Sequence, residues 1–218
     1  MISAKQSIKI VIGGPAGAGK SVVANFLASM DRPDMLRNYT PTPSVRILEF
    51  TRDLSSTAKN SPIPPSMRGR EVAIELWDLS GDERFQFWPT AVNDLHGLLL
   101  VMNADDKDHE RALEQWANLF PNLKESQLLV YAQKHENPAQ SRTRPKLGKP
   151  LSRVPLFFTS QEADGDLMRR EFDGFLVNCM RAMVEQQGKD ESAVLQSAVQ
   201  QSAMQQSQQQ VQQGAVPS

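Results

Sequence analysis

The segment GPAGAGKS, Gly14–Ser21, constrains the fold of this 218-residue chain more than any other feature. It fits the pattern G-x-x-x-x-G-K-[ST], in which glycines let consecutive backbone N–H groups surround phosphate oxygens. An Ile- and Val-rich run precedes it and a segment of helical periodicity follows, so the N-terminus of a helix adds positive charge. We therefore predict a phosphate-binding loop formed by Gly14, Pro15, Ala16, Gly17, Ala18, Gly19, Lys20, Ser21 and Val22.

A second segment, WDLSGDERF (Trp77–Phe85), carries groups suited to a metal ion beside the phosphates. Asp78 ends an apolar strand and can hold Mg²⁺ through a water, while the N–H of Gly81 can reach a γ-phosphate. In the first loop, Lys20 is expected to contact the β- and γ-phosphates, and the Ser21 hydroxyl to ligate Mg²⁺. The two segments together predict a nucleotide site that contains Mg²⁺.

Strand-like and helix-like apolar spacing alternate along residues 1–187. Strands are predicted at Ser7–Ile12, Val45–Phe50, Val72–Trp77, His96–Met102, Gln127–Ala132 and Val154–Phe158. Helices are predicted at Lys20–Met30, at Lys107–Phe120, and from near Asp166 to about Gln187. This alternation indicates a single three-layer α/β domain with a mainly parallel, six-stranded sheet and the ligand at the carboxyl ends of the strands.

Other regions are predicted to lack regular structure. Proline interrupts residues 53–69 and 137–153, so we expect loops there and no helix within 137–153. Residues 188–218 form a Gln-rich tail without aromatic residues, which cannot bury enough apolar surface to offset its ordering entropy. We expect a disordered extension; the alternative is a helix formed on a partner through Val194, Leu195, Ala198 and Val199.

Composition narrows the class of protein further. With 24 basic and 25 acidic residues the formal net charge is −1, which gives no general attraction to nucleic acid or anionic lipid. The single cysteine, Cys179, excludes an intramolecular disulfide and favours a reducing compartment. The chain has no apolar run long enough to span a membrane, no signal-peptide core and no prenylatable cysteine. We therefore expect a cytoplasmic protein without a lipid anchor.

Together with NYTPT (Asn38–Thr42), these motifs resemble the small GTPases of the Ras and Rab type. The resemblance implies that Thr42 is a further Mg²⁺ ligand and that Tyr39 covers the γ-phosphate. Asp82 stands where most members have the Gln that orients the attacking water. Asp82 is shorter and negatively charged, and Ala16 adds a methyl group where many relatives have Gly. Both differences predict slow GTP hydrolysis at most.

The base-recognition motif departs from the GTPase pattern. Relatives have Asn-Lys-x-Asp after the fifth strand, whereas this chain has Gln133-Lys134-His135-Glu136, in which the amide and the acid are each one methylene longer. Glu136 either contacts guanine or is a solvated loop acid, so guanine and adenine both stay open. The base-binding residues that the resemblance implies are Gln133, Lys134, Glu136, Ser160 and Gln161.

Three further segments, ANFLAS (Ala24–Ser29), VRILEF (Val45–Phe50) and Trp88–Asp106, are similar to the Rab-like small GTPases of intraflagellar transport, the family of intraflagellar transport protein 22 or Rab-like protein 5. Ser44 also stands where ordinary Rab proteins have Gly. The resemblance covers about residues 7–187.

This family resemblance implies a nucleotide-dependent subunit or adaptor of intraflagellar transport complex B, located in the cytoplasm and in the cilium or flagellum and its base. It implies GTP or GDP with Mg²⁺, and the coiled-coil subunits 74 and 81 as partners. The alternative is a Rab-type cycling GTPase of vesicle traffic. Four aromatic residues near the site are candidate partner anchors, although some of them can instead pack in the core: Tyr39, Phe85, Phe87 and Trp88.

Overall fold

The computed structural model describes residues 7–29, 42–54, 63–64, 71–82, 93–133, 145–159 and 161–213. The strands are β1 (Ser7–Gly13), β2 (Val45–Asp53), β3 (Glu71–Leu79), β4 (Gly97–Asn103), β5 (Leu128–Gln133) and β6 (Leu156–Thr159). The helices are α1 (Lys20–Leu27), α2 (Lys107–Asn118) and α3 (Gln161–Gln213), and a 3₁₀ turn covers Glu125–Gln127.

The six strands form one sheet in the order β2-β3-β1-β4-β5-β6, and every neighbouring pair is parallel except β2 and β3. The predicted six-stranded, mainly parallel sheet is therefore confirmed. Central parallel strands are covered on both faces, which explains why β4 is a continuous apolar run with all residues before Asn103 buried. The carboxyl ends of the parallel strands meet at one edge, where the motif-bearing loops leave the sheet.

Helices cover both faces of the sheet, as a three-layer fold requires. On one face, Ile10 and Ile12 of β1 share a core with Leu27 of α1 and with residues of α3 such as Phe172. On the other face, Val11 packs in a second core with Leu113 and Trp116 of α2. Successive β1 side chains thus point to opposite layers.

The tail differs from the sequence-based expectation of disorder. The chain divides into two compact units, Met1–Arg181 and Ala182–Ser218, and in the second unit the α-helix continues to Gln213. After Gly188 this segment has no further glycine before residue 214, no proline before residue 217, many Gln residues and several Ala residues, which favour helix even without packing. The side chains of Val194 and Leu195 are each 67% exposed.

The proline-rich segments are described in part. Residues 145–153 form turns without a helix, and the remainder of the predicted loop at 137–153 lies outside the described residues. Within 53–69, Asp53 ends β2, and the side chains of Leu54 and Ile63 are buried in the core shared with α1. In the described part of the chain, no helix has the combination of length and hydrophobicity needed to cross a lipid bilayer.

Candidate functional site

The loop between β1 and α1 depends on three glycines with positive φ, namely Gly14 (140°), Gly17 (75°) and Gly19 (85°). A side chain on Gly14 is also excluded by space, because a Cβ atom there would lie 2.1 Å from the backbone oxygen of Val101. No side chain caps the N-terminus of α1. The backbone N–H groups of its first turn therefore have no capping partner and suit an anion.

Lys20, the first residue of α1, folds back over this loop. Its Nζ donates to the backbone oxygens of Gly14 (2.9 Å) and Pro15 (2.8 Å), and the residue is 7% exposed. Burial lowers the pKa of Lys20 to about 8, although the negative charge of Asp78 opposes this shift. The ammonium group therefore has neutral carbonyl oxygens as its hydrogen-bond partners, and a phosphate group would add a directly bound counter-charge.

The predicted metal-binding groups come together beside Lys20. Ser21 Oγ and Thr42 Oγ1 are 2.8 Å apart although they come from different elements, the start of α1 and the approach to β2. Asp78 is fully buried near the end of β3, and its Oδ1 has no hydrogen-bond partner among the described residues. Burial raises the pKa of Asp78, and the neighbouring Ser21, Arg46 and Lys20 oppose this shift.

Two hydroxyl groups and one carboxylate oxygen with spare hydrogen-bonding capacity are the hard oxygen donors that Mg²⁺ prefers. The residues present therefore fit this ion: Ser21 and Thr42 would hold it directly, and Asp78 through a water. Within the described ranges, no three His, Cys, Asp or Glu side chains are grouped so that they could hold a metal by themselves. The remaining ligands would therefore have to be water and phosphate oxygens.

Arg46 belongs to this site and was missed by the sequence analysis. It lies directly opposite Asp78 in the β2–β3 ladder, with its Nη2 3.1 Å from Asp78 Oδ2 and 3.4 Å from the backbone oxygen of Ser21. The sequence pattern could have indicated it, because Arg46 is four residues after Thr42 and lies on the same side of β2 as the buried Leu48. A charge at such a position calls for a buried partner.

The loop after β3 lies against the phosphate-binding loop. A Cβ atom on Gly81 would lie 2.4 Å from the backbone nitrogen of Ala16, so the predicted proximity of Gly81 to the phosphate site agrees with the geometry. The backbone N–H of Ser80 donates to the backbone oxygen of Ser44 over 2.8 Å, and that of Asp82 to Ser80 Oγ over 3.2 Å. The first bond connects the segment before β2 with the segment after β3, and the second lies within the segment after β3.

Among the predicted base-binding residues, Gln133 lies next to the phosphate-binding loop. Its Cγ would be 3.7 Å from a Cβ on Gly19, and its Nε2 donates to Thr159 Oγ1 over 3.1 Å. Its backbone oxygen accepts from the N–H of Ala104, so Gln133 connects three loops at this edge. Gln161 starts α3. Seven predicted residues lie outside the described part of the chain: Tyr39, Phe85, Phe87, Trp88, Lys134, Glu136 and Ser160.

Comparison with known proteins gives curated relatives over most of the chain. The intraflagellar transport protein 22 homolog of Homo sapiens is 31% identical over 191 residues, which cover 86% of this chain and 97% of the relative. The homolog of Danio rerio is 32% identical over 193 residues, which cover 86% of this chain and 98% of the relative. No protein-family model matches the chain.

Solved structures share the fold. The GTP-bound crystal structure of T. brucei IFT22/74/81 contains a chain that aligns with a TM-score of 0.64 and 24% identity, covering 83% of this chain and 98% of the other. The GDP-bound crystal structure of T. brucei IFT22 aligns with a TM-score of 0.59 and 23% identity, covering 81% and 97%. At this level of identity the structural likeness supports the fold alone.

Proposed function

Because this chain belongs to the intraflagellar transport protein 22 family, we propose that it binds GTP or GDP with Mg²⁺ and is a nucleotide-dependent subunit of intraflagellar transport complex B. Family membership agrees with the resemblance derived from the sequence motifs. It also favours this function over that of a Rab-type GTPase of vesicle traffic.

One observation carries the nucleotide part of the proposal: Ser21 Oγ and Thr42 Oγ1 are 2.8 Å apart beside the buried Lys20. Lys20 would bind the β- and γ-phosphates, and the first turn of α1 would bind them through its backbone N–H groups. Bound Mg²⁺ would supply charge neutralisation of the phosphates. Thr42 would contact the metal only when its loop is closed, which would link the loop to the nucleotide state.

We assign the base to the edge where Gln133 ends β5. The proposed contacts are those of Gln133, Lys134, Glu136, Ser160 and the backbone of Gln161. Guanine is the base because the relatives of this fold bind GTP and GDP in their crystal structures. Hydrolysis would be slow, because Asp82 places a negative charge where a neutral amide normally orients the attacking water.

For partners, we propose the coiled-coil subunits 74 and 81 of complex B, since a structural relative was solved as IFT22/74/81. The protein would then act in the cilium or flagellum and at its base, as well as in the cytoplasm. The aromatic residues Tyr39, Phe85, Phe87 and Trp88 are the proposed anchors, because aromatic side chains dominate interface energies.

The nucleotide released from the purified protein by denaturation tests the first part. We expect GTP or GDP in near-stoichiometric amount, and its loss in Lys20→Ala, because a charge-assisted contact with the phosphates disappears. Lys146→Ala, which removes an exposed lysine from residues 145–153, is the matched control and should retain the nucleotide. Unchanged nucleotide content in Lys20→Ala would refute the assignment.

Co-purification with subunits 74 and 81 tests the second part. We expect the wild-type protein to bind the pair and Trp88→Ala to lose it while remaining folded and nucleotide-bound. If Trp88→Ala loses thermal stability and nucleotide together, Trp88 is a core residue. Retained binding by four single alanine variants, at Tyr39, Phe85, Phe87 and Trp88, would exclude this surface as the interface.

A further inference from the structure

The guanidinium group of Arg46 is fixed beside the groups that would hold the metal. Its Nη2 is 3.1 Å from Asp78 Oδ2 and 3.4 Å from the backbone oxygen of Ser21, whose hydroxyl faces Thr42. The antiparallel register places Arg46 directly across from Asp78, so the contact is determined by the β2–β3 ladder. The Arg46 side chain is 30% exposed, whereas that of Asp78 is fully buried.

The charges of these residues favour phosphate over a divalent cation. Asp78 is the one carboxylate among the three predicted metal-binding side chains, and Arg46 already pairs with it. Lys20 adds a second positive charge, held by neutral carbonyl oxygens. The three side chains Lys20, Arg46 and Asp78 therefore sum to one positive charge. Without nucleotide this charge attracts a polyphosphate; with nucleotide bound, the positive charge of Arg46 still lowers the attraction of the site for Mg²⁺ relative to a site without it.

We propose that Arg46 is a built-in cation of the metal site, which makes nucleotide binding weakly dependent on Mg²⁺ and lowers the affinity of the nucleotide-loaded protein for Mg²⁺. This inference rests on the proposed nucleotide binding. Because coupling between two ligands of one protein is reciprocal, a residue that supports nucleotide binding more strongly without metal than with it also weakens metal binding in the complex by the same factor.

A purely structural role for Arg46 makes a different prediction. If Arg46 only neutralises the buried Asp78 and joins β2 to β3, its removal lowers the free energy of unfolding and weakens the nucleotide equally with and without metal. The decisive quantity is therefore the ratio of the dissociation constants in EDTA and in excess Mg²⁺. A structural defect leaves this ratio unchanged, whereas loss of a charge at the metal site changes it.

The experiment measures binding of a fluorescent GDP analogue to nucleotide-free protein in EDTA and in excess Mg²⁺. For the wild type we expect EDTA to weaken binding by no more than about tenfold, because Arg46 and Lys20 remain in place. Arg46→Gln should raise the ratio by about tenfold or more, mainly through weaker binding in EDTA. In a Mg²⁺ titration of the loaded protein, the half-saturating concentration should fall in Arg46→Gln.

Arg52→Gln is the matched control. Arg52 lies on the same strand as Arg46 and pairs with a different carboxylate, Asp173, at 3.1 Å. Its ratio should equal that of the wild type. Arg46→Lys keeps the charge and should keep the ratio close to the wild-type value.

An unchanged ratio in Arg46→Gln, with nucleotide still bound, would overturn the inference. A decrease in the nucleotide affinity of the wild type by well over tenfold in EDTA would also overturn it, and this measurement does not depend on the folding of a variant. Absence of binding by the wild type with Mg²⁺ present would instead refute the proposed nucleotide function, and the inference with it.

Discussion

A Cβ atom on Gly81 would lie 2.6 Å from the Nζ of Lys20. The same atom would be 2.4 Å from the backbone nitrogen of Ala16, which cannot move without displacing the phosphate-binding loop. The backbone of Gly81 has no positive φ, so its requirement is for space and not for conformation. The loop after β3 is thus held against the phosphate site because one residue has no side chain.

Gly81→Ala should therefore weaken nucleotide binding by roughly 10- to 100-fold, because a misplacement of about 1 Å in a positioned site is costly. Equilibrium titration with a fluorescent GDP analogue measures the effect. Gly174→Ala is the matched control: a Cβ atom there meets nothing within 4 Å in α3, so binding should be unchanged. Its free energy of unfolding should rise by about 0.5–1 kcal/mol. Wild-type affinity in Gly81→Ala would show that the loop moves freely.

Ser44, which precedes β2, has a φ of 79° in the left-handed region. Ser44→Gly should raise the free energy of unfolding by about 0.5–1 kcal/mol, because the left-handed conformation costs a residue with a Cβ atom more than it costs glycine. Urea unfolding of the nucleotide-free protein measures this change. Ser44→Ala keeps the strain and serves as control; if it stabilised the protein as much as Ser44→Gly, the backbone would not be the cause.

Acid should destabilise the fold through His96. Its Nδ1 accepts a hydrogen bond from the backbone N–H of Lys9 (3.0 Å), which requires an unprotonated nitrogen. Burial lowers the pKa of His96; the charges of Asp94 and Glu75 act to raise it and that of Lys9 to lower it. Since the folded pKa lies below the ordinary value of about 6.5, the unfolded chain binds more protons. The contribution of neutral His96 to the free energy of unfolding is complete above about pH 6.5 and is lost as the pH falls through the folded pKa.

Urea unfolding at pH 7.5, 6.5 and 5.5 tests this dependence. His96→Asn, whose side-chain oxygen can accept the same bond without titrating, should reduce the loss of stability by about 1 kcal/mol, the contribution of one hydrogen bond. The pKa of His109 is also lowered by burial, and its Nδ1 accepts from the N–H of Asn103, so it contributes in the same direction. The double variant His96→Asn/His109→Asn should be the least sensitive. If the stability of His96→Asn depended on pH in the same way as that of the wild type does, His96 would not be a source of the acid sensitivity.

GTP hydrolysis should be slow, at or below about 10⁻⁴ s⁻¹ without a partner, as in an unassisted Ras-type site. Asp82→Gln should raise the single-turnover rate, because it restores a neutral amide for positioning water. Asp82→Asn, equal in length to the native residue, separates the effect of charge from that of reach. A wild-type rate near 1 s⁻¹ would contradict the prediction.

The sequence was informative wherever the determining interactions are local. The spacing within Gly14–Ser21 specifies the loop, and unbroken apolar runs such as β4 specify a sheet covered on both faces. For the tail, disorder was inferred from its few apolar residues, with a helix on a partner as the alternative, whereas helix propensity after Gly188 depends on Ala and Gln and needs no burial.

The contact between Arg46 and Asp78 illustrates what the sequence did not supply. The two residues are 32 positions apart, and their pairing follows from the register of β2 on β3. A shift of one residue would turn Arg46 to the other face, so no property of either residue alone predicts the contact. The contact of Gln133 with Thr159 likewise depends on the register of β5 and β6, which places the last residues of the two strands side by side.

The hydrogen bond from Ser80 to Ser44 closes the antiparallel pair at the end that faces the phosphate site. Thr42 lies two residues before this bond and Asp82 two residues after it, so both loops start from the same rung of the ladder. The two segments are thus joined where they leave the sheet, and a displacement of one is transmitted to the other through this bond. The affinity of a partner that binds only one of the two loops would consequently depend on the nucleotide contacts of both.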